Sequence, residues 1–321
     1  MAEYKGINGT KIQNYTSDPA NPLTGQVWYN ATTNTLKVNA GALVGAWATG
    51  NSLGTARYSL GSAGTQTAAL AFGGYAASGT VTSTETYNGT NWTEVNDLNT
   101  ARMSLGGAGT QTAALAFGGF ASPTDKAKTE LWNGTNWTEV NDLTTGRQQL
   151  SGCGTSTAAL GTGGNPTTAI TELWNGTNWT EVNDLGAPTL QPGLVGTTTS
   201  ALNAGFYPTS TSPSVQTWNG TNWTASPSMN TQRLRVGCAG TKPSALIYGG
   251  GPDGAPGDFA GTESWNDSAW TEVADLNTGR NSMASSGASN TSALAAGGTP
   301  GISAATEEWN FSGGIQTIGT S

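Results

Sequence analysis

The eleven residues Asn88 to Leu98, reading Asn-Gly-Thr-Asn-Trp-Thr-Glu-Val-Asn-Asp-Leu, return unchanged at Asn133 to Leu143 and at Asn175 to Leu185. Weaker copies surround Trp223 and Trp270, and Gly-Ala-Trp-Ala-Thr-Gly around Trp47 adds a sixth. Trp47, Trp92, Trp137, Trp179, Trp223 and Trp270 are separated by 45, 45, 42, 44 and 47 residues. A fixed period of this size marks a repeat architecture, in which each unit buries its apolar face only against its neighbours. Helix-pair solenoids and β-propellers share the period. Each unit here carries short β-type runs and none with a 3.6-residue apolar spacing, so the helical alternatives fall away.

Four strands can be placed in a unit. In the second one they are a small-residue stretch from Ser104 to Gly109, an apolar run from Thr112 to Phe117, Thr129 to Trp132, and a fourth strand starting at Trp137. Asn133-Gly134 between the last two marks a tight hairpin, because Asn-Gly tolerates positive φ at both central positions. The apolar run recurs six times, at Thr67 to Gly74, Thr112 to Gly119, Thr157 to Gly164, Thr199 to Phe206, Pro243 to Gly250 and Thr291 to Gly298, which implies six blades. It is apolar on both faces, as expected of a strand packed on each side. An aromatic follows in every third strand: Tyr87, Trp132, Trp174, Trp218, Trp265 and Trp309.

These readings give an all-β chain, a six-bladed β-propeller of four-stranded blades over residues 45–321, preceded by a short extended or β-hairpin arm over residues 1–44. The last unit lacks a fourth-strand Trp. Either Gly313 to Ile318 supplies that strand, or the Trp47 strand does; the second is favoured, because Trp47 has the fourth-strand signature and otherwise has no blade. The arm carries a hairpin signal, Gly25 to Asn30 then Thr35 to Val38, with so little core that it is expected to order only on a partner or in an oligomer.

Charged residues are 10% of the chain and the net charge is -8, which excludes a broad footprint for nucleic acid. No stretch of about 20 apolar residues occurs, so membrane insertion is not expected. Histidine is absent, which removes Ser-His-Asp and Cys-His nucleophile systems and the commonest zinc ligand. No cofactor is implied. Carboxylates such as Glu94 and Asp97 repeat in register around the units, which suits structure better than glycoside cleavage. The chain reads as a non-enzyme. Cys153 and Cys238, in non-adjacent units, read as small buried residues rather than as a disulfide.

A double Gly after the second strand, an aromatic in the third, a Trp in the fourth and an Arg ten residues later together resemble the kelch repeat. Five units keep that Arg, as Arg57, Arg102, Arg147, Arg233 and Arg280; Thr189 replaces it in the fourth, which also loses its Gly pair to Gly205-Phe206. The near-verbatim duplication, with the opening Tyr4-Lys5-Gly6 and the hairpin signal, resembles structural proteins of marine tailed phages, cyanophages in particular. That resemblance implies a virion protein made in the host cytoplasm, docked on other virion proteins through residues 1–44. The propeller would face a host-surface glycan or protein, or neighbouring subunits in a homo-oligomer. A bacterial kelch-like soluble module binding protein or glycan is the alternative.

Two sets of residues are candidates for ligand contact. The arginines follow acidic residues in the connectors, as Asp97 with Arg102, Asp142 with Arg147 and Asp275 with Arg280. They are either structural, bonding connector carbonyls and the nearby Asp, or a basic ring at a channel mouth that binds an anionic group. The loops between second and third strands share that end of the unit and vary most: Tyr75 to Val81, Phe120 to Lys128, Asn165 to Ala169, Tyr207 to Ser214, Gly251 to Gly261 and Thr299 to Ala305. Variable loops on a rigid scaffold commonly form binding surfaces, which singles out Tyr75, Phe120, Tyr207, Asp253, Asp258 and Phe259.

Overall fold

The computed structural model describes residues 12–20, 26–39, 44–121, 127–205, 215–251, 257–312 and 315–318. Among them every regular element is a β-strand. The chain divides into two compact units, Met1–Ala46 with Phe311–Ser321, and Trp47–Asn310.

The first unit holds the expected hairpin, Val27–Asn30 paired antiparallel with Thr35–Asn39. Gln13–Tyr15 adds in parallel on one side. On the other side Ile315–Ile318 pairs with Thr35–Asn39. Part of the partner that the arm was expected to need is thus the far end of the same chain. Trp28 is fully buried, and its indole N–H donates to Asp18 Oδ1 at 3.0 Å. Asn30 Nδ2 donates to the same oxygen at 2.8 Å, while Asn30 Oδ1 accepts the Thr32 and Thr33 N–H groups of the hairpin turn.

In the second unit six four-stranded antiparallel sheets form a propeller-like arrangement. Five take their strands in chain order: Gly61–Thr65, Ala68–Phe72, Thr84–Tyr87 and Trp92–Val95 in the first repeat, where a two-stranded hairpin of Tyr75–Ala76 and Gly79–Thr80 intervenes, then the same pattern through Gly106–Val140, Ser151–Val182, Gly193–Ala225 and Gly237–Val273. The sixth sheet joins Ala284–Ser289, Ser292–Ala296 and Thr306–Ser312 to Val44–Gly50, so the Trp47 strand, and not the C-terminal one, completes it.

The second strands are buried on both faces, as their unbroken apolar runs require. The Asn-Gly hairpins differ from expectation. Tyr87 pairs with Trp92 across a four-residue loop in which only the Gly has positive φ, 86° at Gly89. Asn88 Oδ1 instead accepts the N–H groups of Thr90 and Asn91 at 3.0 and 2.8 Å, so the side chain satisfies donors that a two-residue turn would not leave open.

The aromatics of third and fourth strands stack in pairs, with ring centroids 5.3 Å apart for Trp132 and Trp137 and 5.5 Å for Trp174 and Trp179. Each such pair fills the wedge towards the preceding repeat, and the fourth-strand indole N–H donates to a threonine there. Trp137 reaches Thr84, Trp179 reaches Thr129 and Trp223 reaches Thr171, at 3.0 to 3.1 Å. Trp47 reaches Thr262 and Trp92 reaches Thr306, both at 3.0 Å. The fourth repeat has Val215 at the threonine position, and Trp270 turns to Pro227 O at 3.0 Å.

First strands lie against one another in repeat order, and that of the sixth repeat touches that of the first. The approach is close. A Cβ added to Gly107 would lie 2.3 Å from Ser62 O, so glycine there is a condition of neighbouring first strands meeting.

Candidate functional site

The connectors between a fourth strand and the next first strand are held by a buried ion pair. Arg57, Arg102, Arg147, Arg233 and Arg280 are 0 to 3% exposed. Each bonds through Nη2 to a glutamate in the third strand of the repeat that follows: Glu85, Glu130, Glu172, Glu263 and Glu307, at 2.6 to 3.1 Å. Nη1 bonds carbonyls at the start and end of the variable loop, as Arg147 does to Gly163 O at 2.7 Å and Ile170 O at 2.8 Å. The other carboxylate oxygen holds the connector backbone: Glu172 Oε2 accepts from Thr144 N–H at 2.8 Å, and Glu130 Oε2 from Asn99 N–H at 2.7 Å. Burial lowers the pKa of Arg57, Arg102, Arg147 and Arg233, and the facing glutamate opposes that shift.

The partner differs from the connector aspartate suggested by the sequence. Asp97 Oδ1 accepts the Thr84 N–H at 3.0 Å, and Asp142 and Asp184 do the same for Thr129 and Thr171. A short aspartate already committed to its own third strand leaves the guanidinium to the longer glutamate. In the fourth repeat both members change together. Thr189 Oγ1 donates to Gly205 O at 3.1 Å where an arginine would, and Gln216 Oε1 accepts from Gly186 N–H at 2.9 Å where a glutamate would.

Where the connectors enter the first strands, six backbone N–H groups donate in a closed succession. Ser104 donates to Ser59 O, Gln149 to Ser104 O and Gln191 to Gln149 O, each at 2.7 Å; Arg235 donates to Gln191 O at 3.1 Å, Ser282 to Arg235 O at 3.2 Å, and Ser59 to Ser282 O at 2.7 Å. All six residues have left-handed backbone, with φ between 44° and 58°. Five of them, all but Gln149, line a cavity of about 250 Å³ that runs between the first strands and is lined also by Ser62, Gly107, Gly152, Leu194, Cys238 and Ser285 among others. Both cysteines are among the residues that line this cavity, Cys238 half-buried and Cys153 at the buried position equivalent to Ala63 and Ala108; neither forms a disulfide.

The loop candidates sit at the same end. Bridges join Tyr58 to Tyr75 and Met103 to Phe120, and the rings of Tyr58 and Tyr75 lie 5.3 Å apart. Tyr75 and Phe120 are half-buried. Asp258 Oδ1 accepts from Thr299 Oγ1 at 2.9 Å and from Asn281 Nδ2. Phe259 is half-buried, its N–H donating to Gly250 O at 2.8 Å and its carbonyl accepting from Arg280 N–H at 3.1 Å. Tyr207 and Asp253 lie outside the described residues. The structure therefore groups Tyr75 and Phe120 on neighbouring repeats, ties Asp258 to the fifth and sixth, and encloses the five arginines within the connectors. Among the described residues no three His, Cys, Asp or Glu side chains are placed to share a metal ion.

No family model and no curated protein matches this chain.

Proposed function

We propose that the chain is a non-enzymatic phage virion structural protein, a tail fibre, appendage or capsid decoration. In this reading residues 47–310 with the Trp47 strand form a closed, six-bladed, kelch-like propeller that meets a host surface or neighbouring virion subunits. Closure is supported by the indole bonds of Trp92 to Thr306 and Trp47 to Thr262, and by the succession of N–H bonds that returns from Ser59 to Ser282.

The observation that carries the functional reading is the division within each repeat. The frame engages its charged groups internally, in the arginine–glutamate pairs, while the loops between second and third strands differ in length and sequence at one end. A scaffold that fixes its frame by internal bonds and varies its loops suits recognition rather than catalysis. The separate compact unit of 1–46 and 311–321 suits anchoring, and display of many copies would raise a weak single contact by avidity.

Cryo-electron imaging of particles carrying the chain, beside particles made with residues 1–44 deleted, tests this. Density that appears on the particle and disappears with the deletion is the expected result. Particles of the intact chain without such density would overturn the virion reading and leave a soluble kelch-like binder.

A further inference from the structure

The arginines that repeat are enclosed; the one that does not repeat is open. Arg235 follows the fifth-repeat connector by two residues, is exposed, and stands on the rim of the cavity between the first strands. It has no ion-pair partner among the described residues, whereas the other five arginines all do. Of the remaining rim positions Ser59, Ser104, Gln191 and Ser282 line the cavity; the Ser282 hydroxyl donates to Asn281 Oδ1 at 2.7 Å, which leaves Ser59, Ser104 and Gln191 as donors, and no carboxylate lines the cavity among the described residues. In a chain of net charge -8 this is a local inversion of sign.

Geometry makes the rim a site rather than a coincidence of composition. The succession of N–H bonds consumes the rim backbone donors and fixes each residue in left-handed conformation, so the side chains leave the ring from fixed points. Ser59 and Ser104 are nearly buried, and neither hydroxyl has a partner among the described residues, nor do the Gln149 and Gln191 amides. Following the bonds around the ring, Arg235 is three positions from Ser104 in either direction, so the two residues stand on opposite sides of the ring. Donors that surround a small cavity, with one guanidinium that has no ion-pair partner among the described residues, match an oxyanion in charge and hydrogen bonding.

We propose that this rim binds the carboxylate of a small polar ligand, either an acidic sugar or a free carboxylic acid, with Arg235 as the charge partner and the side chains of Ser59, Ser104 and Gln191 as neutral donors. The half-buried rings of Tyr58, which precedes Ser59, and of Tyr75, bridged to Tyr58, lie beside the rim and would offer an apolar edge to a sugar ring that extends past the cavity. The inference goes beyond the virion reading and does not depend on where the protein is displayed.

Titration calorimetry of the full chain with glucuronate, acetate and glucose at low salt tests it, with Arg235→Gln and Lys242→Gln as the variants. Glutamine already occupies the equivalent left-handed positions at 149 and 191, so Arg235→Gln keeps the rim backbone. Lys242 pairs with exposed Asp267 away from the rim, and its loss changes net charge equally. The expected result is binding of glucuronate or acetate but not glucose, weakened at least about tenfold by Arg235→Gln and unchanged by Lys242→Gln. Glucuronate tighter than acetate assigns the site to acidic sugars; equal affinity assigns it to free carboxylates. No carboxylate binding to the intact chain, or equal loss in both variants, would overturn the proposal.

Discussion

The fourth repeat is a double substitution that the chain already contains, and it predicts how the other five respond. In the third repeat Arg147 and Glu172 are both fully buried and bonded at 2.9 Å. Replacing Arg147 by Thr alone leaves an ionised carboxylate without its cation in a dry site. Replacing Glu172 by Gln alone leaves an unpaired guanidinium. Removing one partner of such a pair costs about 3–5 kcal/mol. The double variant Arg147→Thr with Glu172→Gln reproduces Thr189 with Gln216. Thr at 147 can donate to Gly163 O as Thr189 does to Gly205 O, and Gln at 172 can accept the Thr144 N–H as Gln216 accepts that of Gly186. Ile170 O keeps the Gly163 N–H as a donor at 3.0 Å. The double variant should therefore cost only about 1–3 kcal/mol, for one lost hydrogen bond and the lost side-chain volume. That leaves a coupling of about 3 kcal/mol or more between the two positions, at the upper end for contacting residues. Urea unfolding followed by circular dichroism for the parent, both singles and the double gives the cycle. A double variant destabilised by the sum of its singles would refute the reasoning.

Gly107→Ala places a methyl group 2.3 Å from Ser62 O and should lower the unfolding midpoint by an amount equivalent to at least about 1–3 kcal/mol, read in the same urea titration. Trp179→Phe removes the bond to Thr129 Oγ1 and part of a buried ring; a loss of about 1–3 kcal/mol is expected, and no loss would contradict its role between repeats. Hydrogen bonds from Asn30 and Trp28 lower the pKa of Asp18, so its contribution to the first unit is present above the ordinary carboxylate range and is lost as pH falls through the lower, folded value; amide exchange at Asn30 followed across that acid range should show protection fading only there. Burial pushes the Cys153 thiol well above its ordinary value, so peptide mapping after iodoacetamide at neutral pH should find it modified only in denaturant.

Periodicity made most of this fold legible. Strand positions, the buried double face of each second strand and the placement of Trp47 in the last sheet all follow from residues that recur. The departures arise where a signal is short or unrepeated. Ile315–Ile318 carries four residues of pattern and gave no hint that it would pair with Thr35–Asn39. The glutamate partner of the connector arginine was overlooked in favour of an aspartate closer in sequence, because proximity along the chain is a poor guide in antiparallel sheets. Its signal was present: the third strand reads Thr-Glu-x-Trp in the second, third, fifth and sixth repeats and Thr-Glu-Thr-Tyr in the first, and Val-Gln-Thr-Trp only in the unit where arginine becomes threonine. Arg235 escaped notice because it occurs once, and a reading built on recurrence passes over what does not recur.

The sixth sheet gathers its outer strand from Val44–Gly50 and its other three from residues 284–312. During synthesis the Trp47 segment leaves the ribosome more than two hundred residues before the strand it must pair with, an interval of roughly 15–50 s at ordinary elongation rates. Its own sheet does not exist during that time, while the first five repeats can already stack in order. The last native contacts to form are then those that join the two ends of the repeat array, so truncation within residues 284–310 would release a chain with an orphaned tryptophan strand, open to pairing with another such chain.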